Sequence, residues 1–227
     1  MICVGTDLET SKEGIELAQK YEGIWATVGL HPNDVDDELG IMSYEQLLAQ
    51  LKVVAVGEVG LDYYRTPEPE KQKKQKEVFE QFIDLAQRIK KPMVLHFRDS
   101  PKGSSGRVHK DALEMLPKDF SNGVSHSFTG NLDEAKEYVN RGMYIGFNGI
   151  ITFARQYDEV VKYVPIDRIL LETDSPYLTP EPYRGKRNEP LYVKEVAKKV
   201  AELKNIPIDE VITKTTQNVI KLFEINL

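Results

Sequence analysis

The sequence predicts an α/β protein of the TIM type, a (β/α) barrel in which parallel strands alternate with helices. Three observations support this fold class. Short apolar segments alternate with longer amphipathic segments along all 227 residues. The apolar segments show no regular polar alternation, which is typical of strands that are buried on both faces. Polar residues recur where these segments end, and barrel enzymes place their chemistry at that end of their strands.

Seven segments have strand character. They are Ile2–Val4, Ile24–Leu30, Val53–Val59, Met93–His96, Gly123–His126, Met143–Phe147 and Ile169–Glu172. An open doubly wound sheet is the competing architecture for such a pattern. Nucleotide-binding members of that class carry GxGxxG or GxxxxGK[ST], and the sequence contains neither motif. The barrel is therefore favoured.

The segments between the strands have helical periodicity. They include SKEGIELAQKY, VFEQFIDLAQRIK, LDEAKEYVNRG, LYVKEVAKKVAEL and IDEVITKTTQNVIKLF. The second contains an apolar stripe at 3.6-residue spacing, which predicts a helix packed on the sheet. The stretch KQKKQK, residues 71–76, is interpreted as the solvent-exposed face of that helix.

The strand count is one short of the eight that close a TIM barrel. The first strand-like segment begins at residue 2, with no helix before it. We therefore expect a single domain over residues 1–227 in which the first β-strand and helix of the barrel are missing.

Composition limits the classes of function. Hydrophobic residues make up 41% of the chain, charged residues 29%, and the net charge is −6. This balance argues against a protein that coats nucleic acid with a broad basic face, although it permits local binding of a phosphate. The single cysteine, Cys3, allows no internal disulfide, and no apolar run reaches the ~20 residues that cross a bilayer. A cytoplasmic protein with no membrane partner is predicted.

Polar residues lie at the C-terminal end of nearly every predicted strand. They are His31, Glu58, His96, His126, Asn148 and Asp174. Three of the four histidines are in this set, whereas His109 lies in a helical pattern and is interpreted as an ordinary core or surface residue with a satisfied hydrogen bond. An isolated carboxylate after so apolar a strand costs several kcal/mol unless a cation or a donor pairs with it.

Two carboxylates and two imidazoles at strand ends predict a divalent-metal site with mixed oxygen and nitrogen ligands. The competing explanation is a set of internal ion pairs, for example between Glu58 and Arg98. Phosphate binding is predicted in YRGKRNEP, residues 183–190, where Arg184, Lys186 and Arg187 precede a helix. For the stretch Asp62–Arg65 two interpretations stay open, the lining of a substrate groove and a plain structural loop.

With these motifs the chain resembles the TatD-type metal-dependent deoxyribonucleases, barrel hydrolases of the amidohydrolase-like kind. The matching stretches, in family order from about residue 4 to the C-terminus, are VGLHP, VGEVGLDYYR, MVLHFRDS, SHSFTG, ETDSPYL and YRGKRNEP. The resemblance implies hydrolysis of phosphodiester bonds in DNA, often as a 3′→5′ exonuclease. It also implies two divalent cations per site (Zn, Mg or Mn), single-stranded or duplex-end DNA as substrate, and no obligate protein partner.

The resemblance also implies roles for individual residues. Glu58 would bridge both metals, His96 and His126 would bind one metal, and Asp174 would bind the other and accept a proton. The residues placed near the substrate are His31, Arg98, Arg184 and Arg187. Family members open with an HxH motif that holds the metal shared with Asp174, and no HxH occurs in this sequence. The second metal would then keep only Glu58 and Asp174.

Three alternatives stay open at this point. A small-molecule amidohydrolase would use the same scaffold and the same metal ligands. A truncated or non-catalytic family member is suggested by the absent HxH motif. A metal-free aldolase with a Schiff-base lysine is disfavoured, because Lys52 precedes its strand and no lysine follows a strand directly.

Overall fold

A computed structural model describes residues 1–35, 40–100 and 107–226 of the chain. The chain forms two compact units. The first comprises Met1–Gly123 together with Leu222–Leu227, and the second comprises Val124–Lys221.

The first unit is an alternation of parallel strands and helices. Its elements are β1 (Ile2–Cys3), α1 (Leu8–Lys20), β2 (Trp25–Val28), α2 (Ile41–Leu48), β3 (Val53–Asp62), α3 (Pro69–Ile89), β4 (Met93–Arg98) and α4 (Arg107–Met115). β1 pairs with β2, β2 with β3, and β3 with β4, all in parallel. Each strand is therefore followed by a helix before its neighbour in the sheet, as the sequence predicts.

The second unit continues the alternation. Its elements are β5 (Gly123–His126), which begins at the last residue of the first unit, α5 (Leu132–Asn140), β6 (Tyr144–Phe147), α6 (Asp158–Tyr163), β7 (Ile169–Leu171), α7 (Val193–Lys204) and α8 (Ile208–Phe223), whose last two residues are assigned to the first unit. β5 pairs with β6 and β6 with β7, again in parallel. The seven strands of the described residues overlap the seven predicted segments, with ends that differ by up to three residues. The α/β class of TIM type is confirmed.

Local signals fix the ends of the helices. Asp7 caps α1 in a capping box with Thr10, in which each side chain bonds to the backbone of the other. α3 begins with Pro69 at its first position, where the missing N–H has no intrahelical partner to lose. The same helix ends at Ile89 and is capped by Lys90, which is in the left-handed conformation and donates its N–H to the carbonyls of the last turn.

The predicted apolar stripe of α3 is confirmed, but the interpretation of KQKKQK is wrong in part. Phe79, Phe82 and Leu85 are buried, as expected. However, the two glutamines of KQKKQK, Gln72 and Gln75, are also buried. Lys71 and Lys73 are exposed and Lys74 and Lys76 are half-buried. The two amides pack inward, because a helix of period 3.6 turns every third or fourth residue to the same face.

No helix within the described residues combines the length and the apolar character that crossing a bilayer requires.

Candidate functional site

Glu58 lies in β3 among side chains that bury it. It is 8% exposed, and its backbone N–H donates to the Gly5 carbonyl at 2.7 Å. Its Oε1 lies 2.7 Å from His96 Nδ1 and 3.6 Å from His31 Nε2. The carboxylate therefore faces two imidazoles, which is the environment that the sequence predicts for a metal ligand.

The alternative ion pair between Glu58 and Arg98 is not formed among the described residues. The Arg98 guanidinium carbon lies 4.0 Å from the centre of the Tyr64 ring, in a cation–π contact. Arg98 is half-buried at the end of β4, opposite Asp62 in the strand register. Its proposed contact with substrate stays a prediction.

The close packing of β3 on β4 at His96 requires a glycine. Gly60 pairs with His96 in the register and has a φ of +148°, a conformation that side-chain-bearing residues rarely adopt. A Cβ at this position would lie 2.0 Å from the His96 carbonyl oxygen. β3 can therefore approach the backbone that carries the imidazole only because Gly60 has no side chain.

Asp62 ends β3 and is 1% exposed. Its Oδ1 accepts the Arg65 N–H at 2.9 Å, and its Oδ2 accepts Asn33 Nδ2 at 3.2 Å and lies 3.4 Å from His96 Nε2. Burial raises the pKa of Asp62, but the bonds from His96, Arg65 and Asn33 outweigh burial and lower it to about 2. Asp62 is thus a buried anion that lies on the Nε2 side of the His96 ring.

His31 precedes a short 3₁₀ helix, Pro32–Asp34, and its Nδ1 accepts the Asn33 N–H at 3.2 Å. A neutral imidazole that accepts at Nδ1 carries its proton on Nε2. Nε2 is therefore a donor directed at Glu58. His31, Asp62 and His96 each offer one atom within 4.8 Å of the others. The predicted place of His31 near the substrate stays a prediction.

The second unit contains its own cluster of potential ligands, formed by His126, Glu172 and Asp174, whose nearest ligand atoms lie within 4.8 Å of one another. His126 is the last residue of β5, and its Nδ1 lies 3.1 Å from Glu172 Oε2. Glu172 directly follows β7. The imidazole and the two carboxylates therefore come from the ends of two strands that flank β6 in this unit.

The backbone around Asp174 is fixed by its neighbours. Asp174 is half-buried and in the left-handed conformation with a φ of 56°, and its carbonyl accepts the Tyr177 N–H at 2.8 Å. The buried Asn188 donates its amide to the Thr173 carbonyl at 2.7 Å and to the Tyr177 carbonyl. One side chain of the YRGKRNEP stretch thus ties together the turn that presents Asp174.

The two arginines predicted to bind phosphate are in different situations. Arg184 donates to the Thr179 carbonyl at 2.8 Å and lies 3.8 Å over the Phe153 ring, so part of its donor set holds the loop in place. Arg187 is exposed and has no hydrogen bond or ion pair within the described residues. Phosphate binding by Arg184 and Arg187 stays a prediction.

Two carboxylates were not among the predicted site residues. Asp62 lies in the stretch interpreted as a groove or a loop, and β3 in fact extends to it, three residues beyond the predicted end at Val59. Glu172 was placed in the seventh strand without a chemical role. The signal that could have identified both is their position, because Asp62 ends β3 and Glu172 directly follows β7, and strand ends are where the sequence places the predicted ligands.

Comparison with known proteins gives a consistent result. The family model for TatD-related DNases matches residues 1–224. The uncharacterized metal-dependent hydrolase YabD of Bacillus subtilis (strain 168) is 40% identical over 230 residues, covering 100% of this chain and 88% of the relative. The 3′-5′ ssDNA/RNA exonuclease TatD of Cronobacter sakazakii is 35% identical over 214 residues, covering 89% of this chain and 78% of the relative.

A solved structure gives the same result for the fold. The crystal structure of YjjV, a TatD homologue of Escherichia coli K12, superposes with a TM-score of 0.87 at 28% sequence identity. The match covers 99% of this chain and 86% of that one.

Proposed function

We propose that this chain, which belongs to the TatD-related DNase family and is a metal-dependent hydrolase, cleaves phosphodiester bonds of DNA as a 3′→5′ exonuclease. The observation that carries the proposal is the Glu58 carboxylate, 8% exposed and directed at two imidazoles. The name of the Cronobacter sakazakii relative, a 3′-5′ ssDNA/RNA exonuclease, supports this choice of substrate. The single cysteine supports a cytoplasmic location.

The donor set suits divalent cations. The ligands we propose are Glu58, His96, His126 and Asp174. Imidazole nitrogen and carboxylate oxygen together accept zinc, manganese or magnesium, so the ligands leave the identity of the metal open. Bound cations would supply Lewis acidity toward a phosphoryl oxygen and would make water more acidic at neutral pH.

The protein's own groups have the remaining tasks. Asp174 would accept the proton of the attacking water at its carboxylate. The hydrogen bonds of the surrounding turn hold the backbone that positions this carboxylate. His31 would donate its Nε2–H to a phosphate oxygen, since Nδ1 is occupied by the Asn33 N–H. Arg187 would pair with a phosphate of the strand, because its guanidinium is exposed. Arg98 and Arg184 would contribute the donors that their ring contacts leave available.

The test is an exonuclease assay on a single-stranded DNA oligonucleotide with a label at its 5′ end. We expect shortening from the 3′ end that EDTA abolishes and that added Mn²⁺, Mg²⁺ or Zn²⁺ restores. Asp174→Asn should lower the rate by at least about 100-fold, because it removes both a ligand and a base. Asp167→Asn, an exposed carboxylate in the same unit, is the matched control and should leave the rate unchanged.

Three results would count against the proposal. Activity that survives both chelation and Asp174→Asn would refute metal-dependent catalysis at these residues. Turnover of amides or lactones without turnover of DNA would instead indicate a small-molecule amidohydrolase. Absence of metal from the purified chain, combined with inactivity after metal is added, would favour the non-catalytic alternative.

A further inference from the structure

Glu172 makes contacts with both of its carboxylate oxygens inside the second unit. Oε2 lies 3.1 Å from His126 Nδ1, and Oε1 accepts the backbone N–H of Ser127. An ionised carboxylate only accepts hydrogen bonds, so the proton in the contact with His126 belongs to the imidazole. With Nδ1 protonated, a neutral His126 ring keeps its lone pair on Nε2.

The surrounding residues are arranged to leave room for this carboxylate and to fix the peptide that it binds. A Cβ on Gly146, in the central strand of the unit, would lie 2.7 Å from Glu172 Oε1. The hydroxyl of Ser127 accepts the buried Asn148 amide at 2.7 Å, and Ser127 itself is in the left-handed conformation with a φ of 45°. The hydrogen bond to the Ser127 hydroxyl and the left-handed backbone of Ser127 therefore both help to direct the Ser127 N–H at Glu172.

We propose that Glu172 is a positioning residue that fixes the tautomer and the ring orientation of His126, so that Nε2 is the nitrogen available to a metal. This inference rests on the proposed function in one respect, the role of His126 as a ligand. It excludes Glu172 from the ligand set, because both of its oxygens are already used by donors of the chain. A carboxylate behind a ligating imidazole raises the basicity of that imidazole, and its loss typically lowers metal affinity about 10–100-fold.

The substitution Glu172→Gln gives a specific expectation, because the amide is nearly isosteric but has one acceptor and one donor group. Ser127 N–H and His126 Nδ1–H both require acceptors, and glutamine can serve only one of them. If the amide oxygen takes the Ser127 N–H, its NH₂ group faces Nδ1. The His126 proton then moves to Nε2, which removes the lone pair from the metal-binding nitrogen.

The experiment is ¹⁵N NMR of histidine-labelled protein after exhaustive chelation, at a pH about 2 units above the ordinary histidine pKa of ~6.5. In the unsubstituted chain His126 should be protonated at Nδ1, and in Glu172→Gln at Nε2. Glu159→Gln, which removes the same charge from an exposed site on α6, should leave the His126 tautomer as it is. An Nε2-protonated ring in the unsubstituted chain overturns the proposal without need of any variant.

Metal titration of the same three proteins separates a positioning role from direct ligation. Affinity should fall about 10–100-fold in Glu172→Gln, with the number of metals bound at saturation unchanged. Loss of a bound metal at saturation would mean that Glu172 is itself a ligand, which overturns the proposal. If the unsubstituted chain binds no metal, the proposed function fails, whereas the tautomer measurement still decides the role of Glu172.

Discussion

Replacing Gln75 by leucine should destabilise the first unit more than any exposed change in the same helix. The Gln75 side chain is fully buried. Its Oε1 accepts the Asp62 N–H at 3.0 Å, and its Nε2 donates to the Pro32 carbonyl at 2.8 Å and to Thr66 Oγ1 at 2.6 Å. One amide thus connects α3 to the residue after His31 and to the end of β3.

The magnitude follows from the groups that leucine leaves without a partner. The Asp62 N–H and the Pro32 carbonyl lose the bonds that Gln75 provides, and a buried polar group left unpaired costs about 1–3 kcal/mol. The Thr66 hydroxyl keeps its bond to the Asp62 carbonyl, so it adds little. Leucine has nearly the volume of glutamine and creates no large cavity. We expect the free energy of unfolding to fall by about 3 kcal/mol.

The assay is urea unfolding followed by circular dichroism at neutral pH. Lys73→Leu is the matched control, because its side chain is 72% exposed and lies 3.9 Å from Glu77 on the helix surface. It should change the free energy of unfolding by no more than about 0.5 kcal/mol. If Gln75→Leu behaves like Lys73→Leu, the buried amide does not hold the loop, and the reasoning is refuted.

Two further outcomes are expected from buried features of the first unit. Burial lowers the pKa of His109 from 6.5 to about 4, so between those pH values the unfolded chain takes up a proton that the folded one does not. The free energy of unfolding should therefore fall by about 3 kcal/mol as pH drops from 6.5 to 4, and urea unfolding of His109→Met should lack that slope. Gly60→Ala should prevent soluble expression or lower the melting temperature sharply, because its Cβ would meet the His96 carbonyl at 2.0 Å. Gly40→Ala, with a φ of −60° and nothing within 4 Å of the added carbon, should melt as the unsubstituted chain does.

The strands could be predicted because two sequence signals agree, an apolar run and the residues that end it. Val53–Val56 is apolar on both faces, and the residues that follow are glycine and a carboxylate, which an ordinary surface strand would not combine. The same logic located Glu58, His96 and His126, since a polar residue that ends a doubly buried strand must have a partner. Element type and candidate ligands therefore came from local pattern alone.

The supporting groups could not be predicted in the same way. Gln75 lies in a stretch of lysines, and its burial depends on the helix rotation that α3 adopts against β3. Asp62 lies beyond Gly60, where a sequence pattern indicates a turn, although pairing with β4 keeps the chain extended there. Glu172 looks the same as any carboxylate at a strand end, and only the position of Ser127 distinguishes its role. Each of these roles depends on a tertiary contact and produces no periodic pattern in the sequence.

The pairing of β3 with β4 also limits how the gene can change. The register sets Gly60 against His96 and Asp62 against Arg98. Adding or deleting one codon between Glu58 and Asp62 would turn every later side chain of the strand to the opposite face. Viable divergence in this segment should then occur by substitution at constant length, and a library of single-codon insertions should be depleted there relative to insertions at Gly40, the residue before α2.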